Sequence, residues 1–501
     1  MAPSLMYENE LAAEVTAPST APDAISPAKS KQVSTTSAEP WLLHRSLIER
    51  PCKVDRAAGS YLFLTDGRQI LDACGGAAVA VIGHGNEEVV GAVASQMARV
   101  SYVHTLAYTT ESAEELARCI LQRDGSEASF DHGLVKAFFV GSGSEANDIA
   151  MKCARQYWFE KGQPQRRHFV SRRQGYHGNT IATMSVSTVP GRKAPYHDIL
   201  LPHVSHVSPA DMYHGMWDGE TESEFVTRLL GEIEDEFLKV GPENIVSFIA
   251  ETVVGAALGS MPAPTGYWPG VRALCDKYGI LLHLDEVMCG SGRTGTYFAF
   301  EQEGIQPDIV TIGKGLGGGY APIASMLINQ KIVDGLKQGT SAFNHGQTYQ
   351  AHPVSCAAAL AVQKVMKRDG LVATCARKGE RLGQLLATAF QDCEYVGDIR
   401  GRGLFRSVEF MEDTEKKIPF PKSVGFGVRV QGAAFNMGVA VYPGAGTVDG
   451  VQGDHVLFAP PYTASDEEME TAVWTVRRAY DEVVKFVKTE GLLMASQKSR
   501  L

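Results

Sequence analysis

The chain has 501 residues, of which 44% are hydrophobic and 21% charged, so it can bury a large core and divide into more than one domain. Its net charge of -10, without a basic run, argues against nucleic acid or an anionic membrane surface as a partner and favours small soluble ligands. Nine scattered cysteines without a C-x-x-C pair indicate neither a disulfide framework nor a metal site, and no apolar run reaches the roughly 20 residues that cross a bilayer.

The two ends of the chain differ from its middle. Residues 1–40 are rich in Ala, Ser, Thr, Pro and Glu, a composition typical of a disordered leader, and their acidic residues without any Arg disfavour a transit peptide. In the tail, residues 491–501, the final Ser499, Arg500 and Leu501 are a conservative variant of the S-K-L peroxisomal signal. We therefore expect the protein in the peroxisome, with the cytoplasm as the alternative.

Between these ends the chain alternates strands and helices. The segment "AGSYLFLTDGRQILD", residues 58–72, predicts a hairpin around Asp66 and Gly67. The apolar runs "KAFFV", "HFVSR", "IVSFIAE", "GILLHLDE" and "DIVTIGK" then recur between longer amphipathic segments, as in a doubly wound α/β sheet. We expect residues 91–355 to form a large α/β domain, and residues 41–90 and 356–490 to form a smaller α+β domain from both chain ends.

The first motif with chemical content is "FFVGSGSEAND", residues 138–148. Gly141, Gly143 and Ala146 fit the G-x-G-x-x-A spacing of a dinucleotide-binding turn, but the same backbone N–H groups at a helix N-terminus can hold a single phosphate. An NADP-dependent oxidoreductase would use Arg172 or Arg173, after the strand "HFVS", for the 2'-phosphate. The motif itself leaves both alternatives open, and its Glu145 and Asn147 have no role in either.

A carboxylate at a strand end and a lysine beside a glycine-rich loop favour the single phosphate. "GILLHLDE" ends in Asp285 and Glu286, where Glu286 suits a helix cap and Asp285 could pair with a protonated pyridine nitrogen. Lys314 in "DIVTIGKGLGGGYAP" is either a lysine whose amine reaches solvent or a Schiff-base lysine with a lowered pKa. Together Asp285 and Lys314 fit pyridoxal 5'-phosphate (PLP), whereas an oxidoreductase leaves both unexplained.

Five separated segments, "GSGSEAND", "GYHGNT", "LDEVMCGSGRTG", "IGKGLGGGYAP" and "HGQTYQAHP", closely resemble the class III (subgroup II, omega-type) PLP-dependent aminotransferases. The resemblance extends from about Trp41 to about Val484. It implies the fold-type I PLP transferase architecture, with a large central mixed or parallel sheet, and a homodimer with the active site at the interface. It also implies ping-pong transfer of an amino group from an amine or amino-acid donor, alanine-like or an omega-amine, to a ketone, aldehyde or 2-oxo acid. A PLP-dependent lyase or mutase of the same fold is the alternative.

The resemblance also implies roles for individual residues around the cofactor. Lys314 would hold PLP and move the substrate proton, and Asp285 would pair with the pyridinium nitrogen. Val287 and Tyr176 would cover the two faces of the ring, with His177 and Gly178 completing the turn after Tyr176.

Further residues would hold the phosphate and the surroundings of the cofactor. Ser142, Gly143 and Ser144 would bind the phosphate, and Thr348 would add a hydroxyl from the partner subunit. Glu251 matches a family glutamate near the cofactor, although Thr252 replaces the proline that usually follows it. Arg293 matches a motif arginine that is more often structural than catalytic.

Substrate selection depends on a position where this chain departs from its family. Many relatives carry a carboxylate-binding arginine before an "APP"-like turn, and Leu457 occupies that position here. This implies a substrate amine without an α-carboxylate, or a more apolar pocket. Arg406 and Arg402 are candidates for the cation that admits an oxo acid, although Arg406 can equally be an exposed strand-face arginine. The walls expected by family position are Trp41, His104 and Tyr442.

Overall fold

The computed structural model describes residues 41–122 and 130–493, so the predicted leader and the C-terminal tripeptide lie outside the described residues. The chain divides into two compact units after Cys52. The described part of the first unit, residues 41–52, has no helix or strand, and Ser46 Oγ accepts the N–H groups of Ile48 and Glu49 at 3.2 and 2.9 Å. The helices and strands below belong to the second unit.

The strands follow one another along nearly the whole second unit. In chain order they are β1 Val54–Ala58, β2 Tyr61–Leu64, β3 Gln69–Asp72, β4 Leu134–Val140, β5 His168–Arg172, β6 Val204–Val207, β7 Ile245–Glu251, β8 Val253–Val254, β9 Met261–Pro262, β10 Leu281–Glu286, β11 Ile309–Ile312, β12 Ala324–Asn329, β13 Val396–Arg402, β14 Phe405–Phe410, β15 Val439–Ala440, β16 Tyr442–Ala445 and β17 Asp454–Phe458.

The α-helices lie between these strands and after the last one. In chain order they are α1 Gly75–Ala78, α2 Glu87–Arg99, α3 Glu111–Leu121, α4 Gly143–Glu160, α5 Ile181–Val186, α6 Pro190–Lys193, α7 Met212–Gly215, α8 Glu222–Val240, α9 Tyr267–Tyr278, α10 Gln330–Gln338, α11 Pro353–Arg368, α12 Leu371–Phe390, α13 Phe426–Asn436 and α14 Asp466–Thr489. Within the described ranges, no helix is both long and apolar enough to cross a membrane.

A seven-stranded sheet forms the large domain, in the order β4-β12-β11-β10-β7-β5-β6. Strand β12 runs antiparallel to both of its neighbours, and the pairs from β11 to β6 are parallel. Every residue of β7 and β10 is buried, which explains their continuous apolar sequences, since helices cover both faces of such a sheet. The five predicted strands and the mixed α/β sheet are confirmed, whereas β6 and β12 were not predicted.

The smaller domain draws on both chain ends. Strand β15 pairs in parallel with β3 and completes the four-stranded sheet β1-β2-β3-β15, while β13-β14-β17-β16 form an antiparallel sheet. The predicted hairpin is confirmed in β2 and β3, with Gly67 in the left-handed region at φ +89°. Helix α11 contributes to both cores, because Val362 packs in the core of the small domain and Ala359 in that of the large domain. The exact domain boundaries stay predictions.

Candidate active site

The candidate site lies where three parallel strands end. Asp285 of β10 is in register with Glu251 of β7, and Lys314 follows the last residue of β11, Ile312, by two positions. The carboxyl ends of parallel strands meet at one edge of the sheet, where open α/β folds bind ligands. The sheet topology thus brings together the two carboxylates and the lysine that the sequence singled out.

Asp285 is buried and receives three hydrogen bonds. Its Oδ2 lies 2.8 Å from His177 Nδ1 and 2.8 Å from Asn147 Nδ2, and its Oδ1 accepts the N–H of Val287 at 3.0 Å. Burial would raise the pKa of Asp285, but the hydrogen bond and charge of His177, with the N–H of Val287, lower this pKa below its ordinary value. Asp285 is therefore an ionised acceptor at neutral pH, and His177 Nδ1 carries the hydrogen.

A buried chain of polar groups supports Asp285 from behind. Asn147 Nδ2 also donates to the carbonyl of His177 at 2.8 Å, and Asn147 Oδ1 accepts the hydroxyl of Thr311 at 2.6 Å. The sequence had predicted only a turn role for His177 and none for Asn147. The available signal was an asparagine within the apolar face of α4, where Ala146 and Ile149 are buried beside it.

Glu251 differs in its electrostatics although it lies on the neighbouring strand. Its carboxylate accepts the N–H groups of Tyr176 at 3.0 Å and Gly255 at 2.8 Å. Burial and then the negative charge of Asp285 raise the pKa of Glu251 above its ordinary value. Of the two neighbouring carboxyl groups, Asp285 keeps the charge and Glu251 is the one that tends to hold a proton.

Lys314 combines an unusual backbone with a perturbed amine. It is a non-glycine residue with φ +44°, at the start of the single 3-10 turn Lys314–Leu316. Such left-handed residues are often retained at functional sites because the surroundings hold the conformation. Burial lowers the pKa of Lys314 below its ordinary value and outweighs the opposing effect of the Asp285 charge. The amine is thus more easily neutral, and more nucleophilic, than that of an exposed lysine.

An anion cradle lies at the start of α4. Ser142 caps the 18-residue helix by accepting the N–H of Glu145 at 3.2 Å, which confirms the predicted helix start near Ser144. A Cβ at Gly143 would lie 2.7 Å from Val287 Cγ1, so the close approach of Val287 to this loop requires glycine at position 143. Ser144 Oγ accepts the N–H of Asn179 at 3.1 Å, and this hydrogen bond connects the cradle to the turn that follows "YHG".

These groups fit PLP in each part of that molecule. The helix N-terminus and its serines suit the phosphate, the ionised Asp285 suits a protonated ring nitrogen, and the weakly basic Lys314 suits the aldehyde.

The model of the class III aminotransferase family matches residues 44–479. The chain belongs to the class III aminotransferases. An uncharacterised aminotransferase of Schizosaccharomyces pombe is 44% identical over 90% of this chain and 98% of the relative. A diaminobutyrate–2-oxoglutarate transaminase of Halomonas elongata is 34% identical over 86% of this chain and 90% of its own. The crystal structure of an omega-transaminase from Pseudomonas jessenii in complex with PMP has a TM-score of 0.81 and 34% identity, covering 87% of this chain and 94% of its own.

The protein is therefore a PLP-dependent aminotransferase that acts on amines and oxo compounds, with the fold-type I architecture predicted for it. The oxidoreductase alternative is wrong, and the structure gives the reason. Arg172 is buried, donates to the carbonyl of Glu251 and stacks on Trp268 with 5.0 Å from Cζ to the ring centroid. Arg173 forms an ion pair with Glu232 at 3.3 Å. Arg172 therefore has no access to a nucleotide phosphate, and Arg173 already pairs with an acidic side chain.

Two predicted residues of this aminotransferase lie on exposed loops that touch each other. Thr348 and His104 are both exposed, and their loops meet where the rings of Tyr349 and Tyr102 lie 6.0 Å apart. Trp41 belongs to the separate unit of residues 41–52 and is fully exposed there. The predicted roles of these three residues stay predictions.

The arginines expected near the substrate have other partners. Arg406 pairs with Glu380 at 3.0 Å, and Arg402 pairs with Glu303. Both placements argue against the predicted role as the cation for an oxo acid. Arg293 is buried and donates to the carbonyls of Leu404 and Pro460, in keeping with a structural role.

Other residues of the same motifs complete the picture of this aminotransferase. Glu286 accepts the N–H groups of Ala299 and Phe300 at 2.7 and 2.8 Å. These groups begin the 3-10 helix Ala299–Glu303, so Glu286 caps a helix as the sequence suggested. Its Oε1 also accepts the hydroxyl of Thr252 at 2.8 Å, so the threonine that replaces the usual proline has a defined partner. Leu457 is fully buried and pairs in register with Tyr442 of β16.

Proposed function

We propose that this aminotransferase works by a ping-pong mechanism in which an omega-amine or an alanine-like amino acid is the donor and a ketone, aldehyde or 2-oxo acid is the acceptor. The observation that carries the proposal is the placement of a weakly basic lysine and an ionised aspartate at one sheet edge beside an anion cradle. PLP, when bound, supplies an electron sink for the carbon that loses its proton.

Lys314 has two tasks in this proposal. Its Nζ would hold the cofactor, and after the substrate amine takes that position the same Nζ would accept the substrate proton and return it to the neighbouring carbon. Both tasks need an amine that is neutral for part of the time, and the lowered pKa of Lys314 supports them. This lysine keeps a left-handed backbone conformation two residues after β11 ends.

Asp285 would keep a proton on the ring nitrogen. Its charge is maintained by His177 Nδ1 and Asn147 Nδ2, each 2.8 Å from Oδ2, so His177 is a positioning residue and more than part of a turn. Val287 and Tyr176 would cover the two ring faces. The N–H of Tyr176 is fixed by Glu251, which makes the placement of the tyrosine dependent on that carboxylate.

The donor class is proposed from Leu457. A fully buried leucine at the position of the usual carboxylate-binding arginine leaves an apolar wall, which suits amines without an α-carboxylate. The relatives carry names that refer to different substrates, among them γ-aminobutyrate in a tomato transaminase and vanillin in a Capsicum aminotransferase. A donor screen is therefore the direct experiment for this part of the proposal.

A homodimer is proposed as the active species, with Thr348 of one subunit contacting the phosphate bound by the other. Support comes from the loops that carry His104 and Thr348, because Leu106, Tyr108 and Tyr349 expose 88%, 66% and 64% of their surface there. Large apolar side chains exposed together are typical of interaction sites. Light scattering should give the mass of a dimer, and Leu106→Asp should lower that mass together with cofactor affinity.

The central test follows the cofactor spectrum of the purified protein. We expect a visible absorbance band that disappears on borohydride treatment, with Lys314 modified, and that converts on addition of an amine donor and returns on addition of an oxo acid. Absence of the band would refute the assignment of Lys314. Conversion without return by any oxo compound would favour a lyase or a mutase of the same fold.

A further inference from the structure

A cavity of about 150 Å³ lies beside Tyr176, and one charged side chain is part of its lining. Its lining includes Tyr176, Thr188, Arg192, Ala256 and Tyr442. Arg192 contributes the only charge of this lining among the described residues, and no carboxylate faces it there. The volume is small beside the roughly 300–1,000 Å³ of common ligand pockets, so it suits part of a small molecule.

Arg192 is placed as a binding group. Its Cζ lies 4.8 Å from the centroid of the Tyr176 ring, and within the described part of the chain its guanidinium has no ion pair or hydrogen bond. The neighbouring Lys193 differs, since its Nζ donates to the carbonyls of Ser185 and Ser187 at 3.1 and 2.8 Å. Of these two cations in α6, one holds the backbone and the other faces the cavity with its donors available.

A second polar group at the cavity also lacks a partner. Thr188 Oγ1 is buried and forms no hydrogen bond with the described residues. A buried hydroxyl without a partner is uncommon because its desolvation is costly, and a bound ligand would satisfy it. The opposite wall is firmly held, since Gln174 Nε2 donates to the carbonyls of Gly446 and Thr447 at 3.0 and 2.6 Å.

Residues of the cavity lining connect it to Glu251 on one side and to the apolar cluster of Leu457 on the other. Tyr176 lines it with its ring while its N–H bonds Glu251, the register neighbour of Asp285. Leu457 packs in one apolar cluster with Tyr442 and Ala256, which are cavity walls. The position of the usual arginine thus holds Leu457, packed behind two residues of the cavity lining, whereas α6 contributes the cation Arg192 to that lining.

We propose that this cavity binds the carboxylate of a short monocarboxylic oxo acid and of the amino acid formed from it, with Arg192 as the cation and Thr188 Oγ1 as a hydrogen-bond donor. The proposal rests on the proposed transaminase function. A guanidinium binds one carboxylate through two parallel hydrogen bonds. A second carboxylate, as in a dicarboxylic oxo acid, would meet no further cation among the described lining residues.

The two half-reactions of the holoenzyme test this assignment separately. Benzylamine, which has no carboxylate, drives the first half-reaction, and pyruvate drives the second. In R192L we expect the half-saturating pyruvate concentration to rise about 10- to 100-fold, because the charge-assisted pair between the guanidinium and the carboxylate is lost. The benzylamine half-reaction should stay unchanged. In R192K the half-saturating pyruvate concentration should lie between those of the wild type and R192L, because a lysine keeps the charge but not the paired geometry. In T188V this concentration should rise about threefold to tenfold.

Arg167→Leu is the charge-matched control, since Arg167 is exposed and does not line the cavity. It should leave both half-reactions unchanged. Calorimetry with propionate, which cannot react, adds a readout that is independent of turnover, and the Kd in R192L should rise by the same factor as for pyruvate.

The outcomes separate this inference from the proposed function. If no amine donor converted the cofactor of the wild-type enzyme, the proposed function would be refuted. Propionate binding that depends on Arg192 would still support the proposed binding role of the cavity. An unchanged pyruvate response in R192L would overturn the inference, as would equal losses in both half-reactions. A lower half-saturating concentration for 2-oxoglutarate than for pyruvate would overturn the inference that the cavity prefers monocarboxylic acids.

Discussion

Replacing Asn147 by Asp gives the sharpest test of the polar chain behind Asp285. The change retains the shape of the side chain and places a second carboxylate oxygen where Nδ2 now lies, 2.8 Å from Asp285 Oδ2. Two unit charges at this separation of 2.8 Å repel by about 6 kcal/mol at an effective dielectric constant of about 20. This repulsion raises the upper apparent pKa of the pair.

The pair then holds one proton at neutral pH, and Asp285 loses much of the charge that keeps the ring nitrogen protonated. We expect kcat at neutral pH to fall about 100-fold or more. Raising the pH removes the shared proton, so activity should recover at alkaline pH. Thr311→Val is the matched control, because it removes the hydroxyl bonded to Asn147 without adding a charge.

The assay is kcat against pH from about pH 6 to about pH 10 with saturating amine, with the absorbance of bound cofactor measured at each point. The control should lose less than about tenfold and show no alkaline recovery. If N147D retained wild-type activity at neutral pH, or if its loss did not depend on pH, the inferred support of Asp285 by Asn147 would be wrong.

Three further substitutions test the site itself. Lys314→Ala should abolish turnover while the circular dichroism spectrum is retained, and multiple turnovers at the wild-type rate would contradict its role. Asp285→Asn should lower kcat by about 1,000-fold because the amide cannot stabilise a protonated ring nitrogen, and an unchanged kcat would mean that this nitrogen lies elsewhere. Gly143→Ala adds a Cβ 2.7 Å from Val287 Cγ1, so the Kd for PLP should rise. Combining it with Val287→Ala should restore part of the affinity, and failure to do so would indicate that contact with Val287 is not the cause.

The residues that the sequence could identify are those whose chemistry depends on local context. Asp285 and Lys314 each end an apolar run, and the N-terminus of α4 follows directly from its serine cap. The same reasoning missed β6 and β12, because "VSHV" is short with two adjacent polar residues in its middle and "ASMLIN" directly follows a loop rich in Gly and Pro.

Other features depend on which elements the fold brings together. Asn147 acts only because α4 packs where His177, Asp285 and Thr311 meet, and three separate parts of the chain supply those partners. Arg406 is a charge in an apolar strand, and the sequence cannot tell which helix that strand faces. The structure gives it Glu380 of α12. Arg192 lies in a short helical turn without a motif, so only the cavity identifies it.

The parallel pairing of β15 with β3 has a consequence for biosynthesis. Leu71 bonds through its N–H to the carbonyl of Gly438 at 2.8 Å, and Val439 is its register partner. During translation the edge of β3 therefore stays unpaired until β15 and nearly the whole chain have left the ribosome. Exposed strand edges invite wrong pairing, and distant contacts form slowly. We expect the newly made N-terminal hairpin to depend on chaperones, and truncation before Gly438 to yield aggregates instead of a shorter folded enzyme.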